Sequence, residues 1–260
     1  MLGKLFQKKD SAQAPAGKRI YAIGDVHGCL EELEALLEKA RDDNCATDLS
    51  GSVFGNEESC DTPPKPALVF LGDYVDRGPE SRGVLDRLIV LQQAEPGTIF
   101  LKGNHEALML DFLANPEDIE HWLEWGGEET LQSYGVSPVL GRSSKELAEA
   151  LRENLPETHL SFLQSLALTH IEGDYCFVHA GLRPGVAIGD QQEEDLLWIR
   201  KKFHKTSPGD RPDKIVVHGH QPVEKPLDAG WRICVDTGAC WTGRLTAVVL
   251  EGSNRRFIST

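Results

Sequence analysis

Three short apolar runs, each halted by glycine and a polar residue, constrain this chain more than any other feature. Arg19-Ile20-Tyr21-Ala22-Ile23 stops at Gly24-Asp25, Ala67-Leu68-Val69-Phe70-Leu71 stops at Gly72-Asp73, and Thr98-Ile99-Phe100-Leu101 runs into Lys102-Gly103-Asn104-His105. Runs of this length bounded by turn residues read as buried strands. After the first, Leu30, Leu33, Leu36, Leu37 and Ala40 recur at helical spacing, with Glu31, Glu32 and Glu34 in the first turns, where they suit the helix dipole. Ser81 to Ala94 carries a second stripe: Val84, Leu85, Leu88, Ile89 and Leu91. Strands alternating with helices imply a parallel sheet joined by crossovers, which puts the polar stops on one edge.

The rest of the chain is read more coarsely. Residues 1–17 carry lysines but no apolar core of a secretory signal, and are expected to be a flexible tail. Residues 42–66, rich in Asp, Asn, Ser, Gly and Pro, are expected to be a loop insertion. Residues 107–167 look mainly helical, with a capping box at Ser143-Ser144-Lys145-Glu146 and a helix start at Pro156, and would cover the sheet edge. Short β-like runs at 168–171, 175–178, 214–217, 231–235 and 245–250 suggest a second, more antiparallel sheet. At 260 residues, a single domain over 18–260 is expected.

Composition excludes several classes of function. No apolar stretch is long enough for a membrane span. A formal charge of −14 argues against binding a nucleic-acid backbone, which needs clustered Lys and Arg. The six cysteines show no Cys-x-x-Cys pair, which favours reduced thiols and a cytoplasmic location.

Five segments gather the polar residues: Gly24-Asp25-Val26-His27-Gly28, Gly72-Asp73-Tyr74-Val75-Asp76-Arg77-Gly78, Gly103-Asn104-His105-Glu106, His179-Ala180-Gly181-Leu182-Arg183-Pro184 and His218-Gly219-His220. Carboxylate, imidazole and amide oxygen suit a hard or borderline divalent ion, whereas thiolate-rich sites select softer metals.

In this order the segments resemble the signature blocks of the phosphoprotein phosphatase family of calcineurin-like metallophosphoesterases, most of all its small bacterial serine/threonine phosphatases. The resemblance implies a four-layer α/β/β/α sandwich and two divalent ions, manganese first, with iron, zinc or magnesium as alternatives. It implies that Asp25 and His27 hold the first metal, that Asp73 bridges both, and that Asn104, His179 and His220 complete the second. A metal-bridging hydroxide would attack phosphorus directly, His105 would protonate the leaving oxygen with Asp76 holding its ring, and Arg77, Arg183 and Asn104 would bind the phosphate. One general acid supplies only ~10²–10⁴ of an enhancement reaching ~10²¹ for phosphate monoesters, so the metals carry the larger share.

The implied activity is a serine/threonine protein phosphatase, with broad specificity extending to phosphotyrosine. Its partners would be phosphorylated proteins or peptides, with no nucleic acid and no membrane, and the enzyme a monomer. The alternative is a dinucleoside tetraphosphatase or other small-phosphoester hydrolase, since Asp236 to Trp241 resembles a segment of those relatives. Asp76 and Arg183 favour the protein phosphatase. A third reading, an inactive phosphate-binding module, is disfavoured because every implied ligand and the acid are present. His218 is expected to pack beside His220, Trp122 and Trp125 to pack the helical cover, Trp198 to pack, and Arg200 to lie near the substrate groove only as a lesser alternative. Asp236 is left outside the site.

Overall fold

The computed structural model describes residues 12–46, 65–117, 121–138 and 141–260. Residues 1–11 of the expected tail and 47–64 of the expected insertion lie outside the described residues.

The apolar runs form β1 (Lys18–Ile23), β2 (Lys65–Phe70) and β3 (Ile99–Phe100), pairing in parallel, with α1 (Leu30–Ala46) and α2 (Ser81–Ala94) as the crossovers. Helix α1 therefore continues into the segment read as insertion. The covering block holds α3 (Asn104–Ala114), a kinked π-turn at Leu123–Gly127, α4 (Glu128–Ser133), α5 (Ser144–Asn154) and α6 (Glu157–Ser165). Ser143 and Glu146 form the expected capping box: the Glu146 N–H donates to Ser143 Oγ at 3.3 Å and the Ser143 N–H to Glu146 Oε2 at 2.7 Å.

The second sheet joins β4 (Thr169–Glu172), β5 (Tyr175–Val178), β6 (Ile215–His218), β7 (Leu227–Asp228) and β8 (Arg232–Cys234) in the order β4-β5-β6-β8-β7. It differs from the antiparallel expectation, because its central pairs β5·β6 and β6·β8 are parallel. The long connection after β5, which contains α7 (Glu193–Trp198) and α8 (Lys201–His204), makes a crossover rather than a hairpin. After α9 (Ala239–Thr242), the run at 245–250 is β9 (Thr246–Glu251), which leaves this sheet and pairs with β1 in the first; β10 (Asn254–Ser259) closes that edge.

Alternation along the strands builds the layers. Ile20, Ala22, Val248 and Leu250 meet Tyr175, Phe177, Val217 and Ile233 between the sheets. Their sequence neighbours Tyr21, Ile23 and Val249 pack against α1 and α2, while Cys176, Val178 and Val216 pack against Leu196 and Phe203 of α7 and α8. Helices thus cover both outer faces of two stacked sheets, the expected sandwich. Residues 12–17 belong with this body rather than with a free tail: Ala12 and Ala14 are buried between the sheets, and the Ala14 N–H donates to Gly252 O at 2.8 Å. Among the described residues no helix is long and apolar enough to cross a membrane.

Phe177 is fully buried between the sheets, whereas Val90 is 57 % exposed. Phe177→Ala is expected to lower unfolding free energy by about 3–5 kcal/mol and Val90→Ala to change it by about 0.5 kcal/mol or less, as read by urea denaturation.

Candidate active site

Every segment singled out in the sequence leaves the carboxyl end of a parallel strand: 24–28 after β1, 72–78 after β2, 103–106 after β3, 179–184 after β5 and 218–220 at the end of β6. Stacking the sheets brings these ends together, as open α/β sheets do at their ligand crevices. The N–H groups of Val26 and His27 donate to Asp73 O at 3.0 and 2.8 Å, and that of His220 to Asp25 Oδ2 at 3.0 Å.

Two groups of buried ligand-type side chains result, His27, Asp73 and His105 in one and Asp73, His179 and His220 in the other. Asp73 is common to both. Its Oδ2 lies 3.5 Å from His27 Nε2 and its Oδ1 lies 3.4 Å from His179 Nε2. Burial works against its charge, but the positive charge that His179, His105, His27 and His220 carry when protonated outweighs burial, so Asp73 ionises below the ordinary carboxylate range.

The donor set fits divalent cations. His179 Nδ1 donates to Leu71 O at 2.9 Å, which leaves Nε2 as a lone pair facing Asn104 Oδ1 at 2.9 Å. Two acceptors so close, with Asp73 Oδ1 beside them, call for a cation between. His27 is set up alike: Nδ1 donates to Val75 O at 2.9 Å, which leaves Nε2 an acceptor 3.5 Å from Asp73 Oδ2, where Arg77 NH1 reaches it. Burial keeps these imidazoles neutral, lowering His27 to about 3, His220 to about 2, and His179 below its ordinary value. Neutral imidazole is the form that binds metal.

Asp25 lies beside the cluster but in neither triad, its carboxylate accepting the N–H of His220. Burial first, then the charges of Asp236 and Asp73, push Asp25 well above its ordinary pKa, and burial raises Asp236 to about 6. So dense a set of buried carboxylates needs positive charge nearby. Asp236, left outside the site by sequence reading, is therefore part of its electrostatics.

His105 and Asp76 form a close pair, with Nδ1 2.6 Å from Oδ2. Burial lowers the His105 pKa, but Asp73 and the Asp76 hydrogen bond more than reverse this, and the net shift is upward. Asp76 is itself fixed by residues whose role the sequence did not reveal. The Trp122 indole donates to Oδ2 at 2.8 Å and Thr130 Oγ1 to Oδ1 at 2.6 Å. Glu106, quoted only as the end of a motif, accepts N–H bonds from Asp73, Tyr74, Val75 and Gly103 at 2.6–3.3 Å. His218, as expected, packs: its ring lies against Phe203, and burial lowers it to about 3.

A cavity of about 960 Å³ opens beside the triads, walled in part by Arg77, Asn104, His105, Trp125, Arg200 and Trp241. Arg77 NH1 donates to His27 Nε2 at 2.5 Å, and its NH2 lies 2.9 Å from His105 Nε2. Gly126, at φ 110°, lets the π-turn approach Arg77, because a Cβ there would stand 2.5 Å from Arg77 N. Arg200 Nε donates to His220 Nε2 at 3.0 Å. Arg183 is not brought into this wall: it is 44 % exposed and its Nε donates to Asp195 Oδ2 at 2.6 Å. The lesser alternative, Arg200, thus stands where Arg183 was expected. Trp125, expected to pack, is 45 % exposed on the cavity wall.

The sequence pattern of calcineurin-like phosphoesterases matches residues 18–249. This chain belongs to that family. It is accordingly a metallophosphoesterase, a hydrolase of phosphoesters from a family with a dinuclear divalent metal centre. It is 27% identical to a symmetrical bis(5'-nucleosyl)-tetraphosphatase of Methylococcus capsulatus over 92% of this chain and 94% of that one. It is 30% identical to the asymmetrical bis(5'-nucleosyl)-tetraphosphatase PrpE of Anoxybacillus flavithermus over 87% of this chain and 88% of that one. In fold it is similar to a serine/threonine phosphatase of Saccharomyces cerevisiae, with a TM-score of 0.55 and 17% identity over 94% of this chain and 79% of that one.

Titrating manganese into chelator-treated protein is expected to raise the unfolding temperature, by about 2.7 kcal/mol of added stability at a hundredfold excess over Kd. Asp73→Asn should remove most of that rise in calorimetry. If His105 acts as an acid, activity falls as pH rises through its raised pKa. Asp76→Asn removes a charge that sustains the imidazolium, and the alkaline limb of the kcat/KM profile should move to lower pH.

Proposed function

We propose that this metallophosphoesterase hydrolyses dinucleoside tetraphosphates. The observation that carries this reading is the cavity. At about 960 Å³ it sits at the upper end of small-molecule sites and exceeds what a phosphoserine side chain needs. The tetraphosphatase relatives, similar over nearly the whole chain, support the same reading. The protein-phosphatase reading leaned on Arg183, and the Arg183–Asp195 ion pair outside the cavity weakens it.

Asp25, His27, Asp73, Asn104, His179 and His220 would hold two divalent ions, with manganese taken first and iron, zinc or magnesium as alternatives that the same oxygen and nitrogen ligands accept. When bound, the ions would supply an activated water and Lewis-acid stabilisation of the phosphoryl charge. The planar forks of Arg77 and Arg200 suit the phosphoryl oxygens, and His105, oriented by Asp76, would pass its Nε2 proton to the leaving oxygen. The free cysteines Cys29, Cys45, Cys176, Cys234 and Cys240 suit a reducing compartment, and we take the enzyme to be cytoplasmic and monomeric.

A second reading, hydrolysis of phosphoserine, phosphothreonine and phosphotyrosine in proteins, is favoured by the His105–Asp76 pair. A serine alkoxide needs protonation as it leaves far more than a phosphate oxygen does, and a firmly held imidazolium provides it. Turnover of diadenosine tetraphosphate and of a phosphopeptide panel, at equal enzyme and manganese, separates the two. A kcat/KM at least tenfold higher for the dinucleotide is expected, and a tenfold preference for phosphopeptides would overturn the proposal.

A further inference from the structure

Of the three tryptophans on the cavity wall, Trp125, Trp198 and Trp241, the first and last are exposed and have no part in the metal cluster or in proton transfer. Trp241 is 63 % exposed and Trp125 45 % exposed, so both rings present open faces at the cavity. Each is tied to a different triad. The Arg77 guanidinium lies over the Trp241 ring, 5.1 Å from its centroid, and reaches His27 and His105 beyond. Trp125 packs against Trp198 at 6.0 Å between centroids, and Trp198 against His220 at 6.3 Å. One aromatic platform therefore adjoins the first triad and a second adjoins the other.

Charge on the wall is zoned in a matching way. The arginines point to the imidazoles of the triads, while Glu124, Glu128 and Glu129 line the cavity together with Trp125. Carboxylates repel further phosphate but accept hydrogen bonds from hydroxyl and amino groups. The wall around Trp125 thus suits an uncharged, flat, hydroxyl-bearing group, and the open ring of Trp241 a second flat group.

We propose that Trp241 and Trp125 are base-stacking platforms, each receiving one nucleobase of a dinucleoside polyphosphate whose phosphates lie at Arg77 and Arg200. This rests on the proposed function above. Base stacking on an aromatic side chain is insensitive to base identity, because every base has a π-face, so adenine and guanine dinucleotides should serve alike.

The test compares wild type, Trp241→Ala, Trp125→Ala and the conservative Trp241→Phe. For each, kcat/KM is measured with diadenosine tetraphosphate and with p-nitrophenyl phosphate, which has no base to stack. The ratio of the two should fall about tenfold or more in each alanine variant and survive in Trp241→Phe. An unchanged ratio in both alanine variants, with wild type active on the dinucleotide, would overturn the platforms and leave the proposed function standing. Wild type that cleaves phosphopeptides but not the dinucleotide would overturn the proposed function itself. Quenching of tryptophan fluorescence by diadenosine tetraphosphate in chelator gives a second readout independent of turnover: it should diminish in each alanine variant, and its absence from wild type counts against the platforms.

Discussion

The ionised carboxylate of Asp73 is the group on which the rest of the site depends. It is 2 % exposed and common to both triads. Its Oδ1 also accepts the N–H of His105 at 3.1 Å, which ties the loop after β2 to the first turn of α3. Glu106 completes that tie with its backbone hydrogen bonds to both segments. A second buried carboxylate so near Asp73 would be repelled, and burial together with Asp73 does raise Glu106 to about 7. The converging N–H groups offset that repulsion, as they do wherever a buried acid is saturated with donors.

The same economy governs the backbone. His27, Asp73, Asp76, Arg77 and His220 all have φ between 46° and 74°, a region that side chains other than glycine enter at roughly 1–3 kcal/mol each. In each case a distant segment catches the N–H: Asp73 O for His27, Glu106 for Asp73, Ser81 and Thr130 for Asp76, Gly126 O for Arg77, and Asp25 for His220. The strained conformations are therefore held from outside their own loops. Gly219 shows how close these segments run, since a Cβ there would stand 2.0 Å from Asp25 Oδ1.

This explains what could be read from sequence. Ligand-type residues forced into tight turns at strand ends leave a signature of glycine, aspartate and histidine beside apolar runs, and the first sheet, both crossovers and the triad residues were legible from it. Direction in the second sheet was not. Short strands such as β5, buried on both faces, look the same in sequence whether they pair in parallel or antiparallel. Nor was the departure of β9 to the first sheet, which depends on pairing between residues more than two hundred positions apart. In sequence Trp122 reads as packing alone, because its indole N–H finds Asp76 only once the helical cover closes over the loop.

The two arginines after His179 show most clearly where sequence order stops informing. Arg183 lies in the segment that begins at His179 and Arg200 lies seventeen residues further on, so order along the chain favours Arg183. The fold separates them through their partners. Arg183 is paired with a carboxylate, Asp195, a charged contact that phosphate would have to displace. Arg77 and Arg200 donate instead to the uncharged nitrogens of imidazoles, weaker partners from which a phosphoryl oxygen can draw them. On a chain of net charge −14, an arginine is free to meet an anionic substrate only where it is not itself paired with a carboxylate. On the proposed function, that difference of partner, rather than proximity in sequence to the metal-ligand motifs, would select which guanidinium faces the phosphate.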